Sequence, residues 1–287
     1  CYKNRAFFLL FFYIELRLVS MMLQKLNQYR QQFSFLMVKV GKAQKKNSKA
    51  TQYAFEWVEN LKQLQEVQRF RAKQFSKQFG IEFESGLDQD LYDFGCEHAV
   101  LRDKSTGEIV AYTRLKLWQG HELANSYSAH EFKIIDELGH LSNIVEMGRT
   151  CVHPCYRSGK TLSILWLNLV PKVLWEMRAK HLIGCVSIRL EGNEARAYHT
   201  HQVIQQLAEN QLCDIQSQQP FEPSCPSHSF SQDERIPKLF DVYLKMNAKL
   251  SEQAFYDRDF NCLDYFVLLD VKQMAKHFIR QKKVKAS

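Results

Sequence analysis

The stretch "VEMGRTCVHPCYRSGKTLSILW", Val145 to Trp166, passes from apolar, β-prone residues through a glycine turn into apolar residues at helical spacing. It reads as strand, turn and helix. Gly159-Lys160-Thr161 imitates the end of a nucleoside-triphosphate loop. That loop requires an earlier glycine at the position Pro154 occupies, so the nucleotide motif is absent. What remains is a helix start whose free N–H groups and positive dipole end suit an anion.

Working outward, "YAFEWV" (53–58) alternates like a strand, and 61–80 carries apolar residues at helical spacing closed by Gly80. An acidic loop, "FESGLDQDLYDFG", follows. "CEHAVLRD" and "EIVAYTRLKL" then flank "KSTG" as a hairpin, with Gly107 where positive φ is expected. After the strand 143–152, a helix is expected to about Ala179. Next come a strand at 181–190, a helix at 193–211 and a loop with four prolines. The last unit reads as helix 238–250, strand 263–269 and helix 271–280. This order indicates an α+β fold with a central mixed, mostly antiparallel twisted sheet flanked by helices. The expected organisation is an extension over 1–50 containing a helix at Leu23–Gln44, one domain over 51–280 with a C-terminal extension from about 236, and a basic tail over 281–287.

The charged residues of this pattern cluster around the expected sheet. Glu146 and Arg149 are spaced to point to opposite faces of a regular strand. A bulge at Gly148 would return them to one side. Asp90 and Asp93 precede the hairpin, and Arg114 ends its second strand.

Bulk properties narrow the partners. The chain has 287 residues and a formal charge of +8, which favours an acidic protein or an anionic membrane surface. No aromatic-interleaved RNA motif or zinc finger is present, so nucleic acid is not expected. The eight cysteines show no paired metal-site spacing, so no metal is expected, and they suit a reducing cytoplasm. "AFFLLFFYI" near the N-terminus is shorter than the roughly twenty residues a membrane span needs. It reads as translated upstream sequence before Met21 or Met22, with a membrane-surface anchor as the alternative. A cytoplasmic protein, peripheral at most to the membrane, is the expectation.

"EVQRFRAKQF", "DQDLYDFGCEHAVLRDKSTGEIVAYTRL", "SAHEF", "VEMGRTCVHPCYRSGKTLSILW" and "HLIGCVSI" together resemble the ornithine-(acyl carrier protein) N-acyltransferase family. Its members are GNAT-like enzymes related to the acyl-homoserine-lactone autoinducer synthases. The segment 236–271 is similar to that family's C-terminal portion, and the likeness covers about Tyr53 to Val271. It implies a GNAT-like acyltransferase fold and transfer of a 3-hydroxy fatty acyl group from acyl carrier protein to the α-amine of ornithine. The carrier's phosphopantetheine thioester would be a co-substrate, and no other cofactor is implied. The family's helix pair falls on Arg71 and Phe75, its acidic pair on Asp90 and Asp93, its hairpin arginine on Arg114 and its Glu-x-x-Arg on Glu146 and Arg149. The donor-phosphate turn falls on Arg157, Ser158 and Gly159, with Lys160 beside it. Glu146 would take the amine's proton, and strand N–H groups beside the bulge would hold the oxyanion. The acidic pair would hold the acceptor's amines or lock Arg114 and Arg149. Two departures stand out: Ala111-Tyr112-Thr113 replaces the usual Gly-Thr before the hairpin arginine, and Asn247-Ala248 replaces Gly-Ala. The first leaves open a different amino-acid acceptor. Acetyl-coenzyme A as donor and a non-catalytic binding module are the remaining alternatives.

Overall fold

The computed structural model describes residues 52–157, 160–190, 194–221 and 238–272. The expected extension with its helix at Leu23–Gln44, most of the proline-rich loop, the helix 271–280 beyond Lys272 and the basic tail lie outside the described residues.

Alternating apolar residues build the first half of the sheet. β1 (Tyr53–Trp57), β2 (Glu97–Asp103), β3 (Ile109–Trp118) and β4 (Ile144–Val152) pair antiparallel in sequence order. β5 (His181–Arg189) joins β4 in parallel, and β9 (Cys262–Asp270) returns antiparallel beside β5. β7 (Lys249–Ser251) and β6 (Leu212–Cys213) finish that edge, while β8 (Phe255–Asp257) also pairs with β9. The hairpin turn is as expected: Gly107 has φ 72°, and Asp103 accepts a hydrogen bond from Ser105 N at 2.8 Å.

Two helical layers cover the sheet. α1 (Leu61–Phe79) begins at Asn60, whose side chain accepts from Gln63 N at 3.0 Å, and ends at Gly80 with φ 77°. Its Val67 and Phe75 pack on Val100 and Tyr112. On the same face α2 (Tyr127–Glu131) and α3 (Ile135–Leu138) fold the polar segment after β3 over Trp118, Ile144 and Phe266. The opposite face carries Leu115, Val145, Met147 and Val186. There they meet α4 (Lys160–Pro171), α5 (Glu194–Ala208) and α6 (Lys238–Lys245).

Two helices and one strand end elsewhere than expected, and the three short strands β6, β7 and β8 were not expected. The helix expected to reach Ala179 is α4 only to Pro171, beyond which Lys172–Glu176 widens into a π-helical turn. The helix expected over 238–250 stops at Lys245, because Asn247 takes φ 58° and the chain turns back into β7. Asparagine tolerates that left-handed conformation, as the family's glycine would. The strand expected over 263–269 is longer by a residue at each end, and β6 and β8 were too short to register as patterns.

The functional consequence of the topology is a split. β4 and β5 pair only at Ile144↔His181, Val145↔Leu182 and Glu146↔Ile183. Beyond that point Met147, Gly148, Gly184 and Val186 line the walls of a cavity between the two strands.

Candidate active site

The bulge lies one residue beyond its expected place. Tyr112 pairs with Cys151 and Arg114 with Gly148, so Thr113 faces both Arg149 and Thr150. Arg149, not Gly148, is the bulged residue and takes φ 51°. A non-glycine residue there is strained. The conformation is held by Thr113 Oγ1, 2.8 Å from Thr150 Oγ1 and donating to the Gly148 carbonyl at 3.3 Å. The extra residue brings Arg149 into the same cavity as Glu146.

Arg149 closes an alternating ring of charges. Arg71 donates to Asp88 Oδ2 at 2.8 Å and to Asp93 Oδ1 at 2.6 Å. Arg114 bridges Asp93 at 2.7 Å and Asp90 at 2.5 Å. Arg149 pairs with Asp90 at 3.0 Å and with Asp88 at 3.5 Å. Three arginines and three aspartates thus alternate around one circuit and cancel in charge. Burial pushes the Asp93 carboxyl up, but the hydrogen bond and charge of Arg71, with Arg114, outweigh it and hold it well below the ordinary range. Asp90 is lowered in the same way, burial opposing and Arg114 prevailing. The Arg149 guanidinium also lies 4.9 Å from the Phe260 ring centroid and 5.5 Å from that of Tyr127.

Glu146 is buried beside this ring and anchors α2. Its Oε1 accepts from Ser128 N at 2.7 Å and Ser128 Oγ at 2.6 Å. Oε2 accepts from Trp118 Nε1 at 3.0 Å and Tyr127 N at 3.3 Å. One carboxylate therefore joins β3, β4 and the first turn of α2. The cavity it faces has a volume of about 150 Å³ and runs through the split in the sheet. Tyr92, Tyr127 and Phe75 line it, and so do Leu239 and Tyr243 of α6 from the other face.

A split between parallel strands, with a carboxylate and backbone edge facing one cavity, is a geometry for acyl transfer to an amine. Residues 70–167 match the family model described as "Acetyltransferase (GNAT) domain". The chain has a GNAT-like acyltransferase fold. It is 25% identical over 245 residues to the L-ornithine N(alpha)-acyltransferase of Rhodobacter capsulatus, covering 78% of this chain and 92% of the relative. The protein of the same name from Agrobacterium fabrum is 29% identical over 211 residues, covering 67% and 70% respectively. Among solved structures, the CoA-dependent acyl-homoserine lactone synthase BjaI aligns with a TM-score of 0.48 at 10% identity, covering 79% of this chain and 89% of that one.

Within the acyltransferase domain the residues singled out from sequence fall into two groups. Glu146, Arg149, Arg114 and Phe75 line the cavity. Arg71, Asp90 and Asp93 do not line it and stand behind it as ring members. Asp88 completes the ring and was not singled out, although "DQD" and its spacing from Asp90 place it on the same loop. Ser128 and Trp118, which hold Glu146, were also missed. Tyr112, the departure beside the hairpin arginine, is fully buried and does not line the cavity. Its hydroxyl accepts from Arg71 at 3.2 Å and lies 2.7 Å from His98 Nδ1, so the departure braces the ring. At the turn, Arg157 is exposed and donates to the Val152 carbonyl at 3.0 Å and to Gln78 at 3.1 Å. Lys160 is exposed at the start of α4, while Ser158 and Gly159 lie outside the described residues. Among the described residues no helix is long and apolar enough to cross a membrane.

Proposed function

We propose that this acyltransferase moves a fatty acyl group, 3-hydroxylated in the family it resembles, from the phosphopantetheine thioester of an acyl carrier protein to the α-amine of ornithine. The observation that carries this reading is the cavity at the β4–β5 split, where Glu146 and Arg149 meet an unpaired stretch of strand edge. The names of the relatives support ornithine as acceptor. The donor rests on the resemblance and on the basic character of the chain, since carrier proteins are acidic.

The acceptor's carboxylate meets Arg149, whose guanidinium is held by Asp88, Asp90 and the aromatic rings around it. The α-ammonium meets Glu146 and yields a proton to it, directly or through a water, by displacing the long Tyr127 N–H bond. The free amine attacks the thioester carbonyl. Backbone N–H groups on the β4 edge beyond Glu146 stabilise the oxyanion. The carbon–sulfur bond then breaks, and the pantetheine thiolate leaves with a proton while the amide stays. Arg157, Ser158, Gly159 and Lys160 would meet the phosphodiester of the pantetheine arm at the start of α4. The amphiphilic product accords with a protein working at an anionic membrane surface inside the cytoplasm.

Purified protein given a 3-hydroxyacyl carrier-protein thioester and ornithine should yield the ornithine amide by mass spectrometry. Thioester hydrolysis without amide would overturn the reading. Glu146→Gln should lower kcat by ~10²-fold or more in a folded protein. Unchanged turnover would remove Glu146 as the proton acceptor.

A further inference from the structure

A second group of carboxylates, outside the arginine–aspartate ring, reaches the same cavity. Asp257 of β8 and Asp264 of β9 line it, and Asp264 is only 2% exposed. Glu131, the last residue of α2, is 1% exposed and electrostatically coupled to both aspartates. Its neighbours Tyr127 and Cys185 are themselves cavity-lining residues. Glu131 Oε2 makes no hydrogen bond by distance and angle, although the Glu131 carboxyl lies against Tyr127, Cys185 and Asp264, and Asp264 also meets Ser187 and Cys262. Among the described residues no lysine or arginine forms an ion pair with any of the three. Arg149 alone exerts a noted attraction, on Asp257. Burial, with the charge of Asp264, pushes the Glu131 carboxyl well above its ordinary range. Burial, with the charge of Asp257, pushes Asp264 up as well.

A buried carboxyl group without a cation keeps a proton instead, and a cationic ligand would displace that proton and pair with the carboxylate. The ring cannot supply that cation, because its own charges cancel. The nearby Asp257, Cys262 and Asp264 place one ligand atom each within 4.8 Å of one another, which raises the question of a metal. Burial and the charges of Asp264 and Asp257 push the Cys262 thiol up, so a metal would have to displace its proton, and a metal is the competing occupant to be tested. An ammonium needs only acceptors, which this wall supplies.

We infer that the cavity wall formed by Asp264 and Asp257, with Glu131 behind it, is the seat of the acceptor's side-chain ammonium, and so selects diamino acids. The inference rests on the proposed amino-acid N-acyltransferase activity and adds the group that distinguishes one amino acid from another. The acceptor then spans the cavity by three contacts: its carboxylate at Arg149, its α-amine at Glu146 and its terminal amine at Asp264. An acceptor with a neutral side chain of equal length would offer Asp264 and Asp257 no cation to pair with. Sites built on such polar pairing reject the analogue that lacks the group by far more than a missing methylene would.

L-Norvaline has ornithine's carbon chain without the terminal amine. With an acyl carrier protein thioester as donor, kcat/KM should favour ornithine over norvaline by roughly 10³-fold or more in the unaltered protein. Asp264→Asn should shrink that ratio at least tenfold, mainly through the KM for ornithine, and Glu131→Gln should shrink it less. A ratio unchanged in folded Asp264→Asn protein would overturn the inference. So would an unaltered protein that takes norvaline as well as ornithine. Loss of activity in chelator with recovery on zinc would also overturn it, in favour of a metal. If the variants fail to fold, or no amide forms with any acceptor, thermal shift of the unaltered protein decides. Ornithine must raise Tm at concentrations where norvaline does not, and equal shifts would overturn the inference. Absence of amide together with ornithine-selective binding would fault the proposed reaction while leaving the ammonium seat standing.

Discussion

A Cβ built on Gly184 would lie inside any contact distance of the Met147 carbonyl oxygen, and a backbone atom cannot swing aside. Gly184 stands immediately after Ile183, the last β5 residue paired with β4, so it sets how close the strands remain as the split opens. Gly184→Ala should therefore displace one strand, cost ~1–3 kcal/mol of stability and lower kcat/KM for every donor. Gly148 offers the contrast, because its Cβ would meet only Arg114 Nε at 3.6 Å, an ordinary contact. Thermal melts of the two alanine variants should separate clearly, and equal Tm values would refute the close-approach argument. The glycine in "HLIGCV" was visible in the sequence, but nothing there identifies the carbonyl it approaches.

At the scale of elements, α1 is attached to the sheet through an ionic contact as well as an apolar one. Arg71 is fully buried and reaches Asp88 and Asp93 on the loop that leads into β2. Breaking one partner of such a set leaves uncompensated charge, so Arg71→Met should destabilise by ~3–5 kcal/mol. The pH dependence has a definite sign. Asp93 is held below its ordinary value, so it binds fewer protons in the folded state than in the unfolded one. Its contribution is full above the unfolded carboxylate value near ~4 and is lost as pH falls below that, toward the depressed folded value. Tm should accordingly drop steeply in that acid range, and Arg71→Met should flatten the dependence because the cation that depresses Asp93 is gone. A parallel Tm–pH curve for the variant would contradict this. The helix itself was legible from its apolar spacing and its Gly80 end, whereas its Asn60 cap was not singled out. The bulge was legible only to within a residue, since its place depends on which β3 residue faces Thr150, a matter of cross-strand register.

For the molecule as a whole, the order of strands and helices was readable because each element carries its own period. The acidic wall was not, because Glu131, Asp257 and Asp264 come from α2, β8 and β9 and meet only once the sheet has closed on β9. A long-range property of the same kind is the formal charge of +8. If the donor is an acidic carrier protein, that surplus acts on encounter more than on chemistry. Raising salt from ~50 to ~300 mM shortens the screening length by more than half, so the KM for the carrier-protein donor should rise several-fold with kcat nearly constant. A short pantetheine thioester, with little charge beyond one phosphate at most, should show almost no such change. Arg157→Ala and Lys160→Ala, both at the exposed turn before α4, should weaken the carrier-protein donor more than the short one. Equal salt dependence for the two donors would mean that the basic surface does not read the carrier. Equal loss in the variants would mean that the turn supports the fold and leaves the phosphate unread.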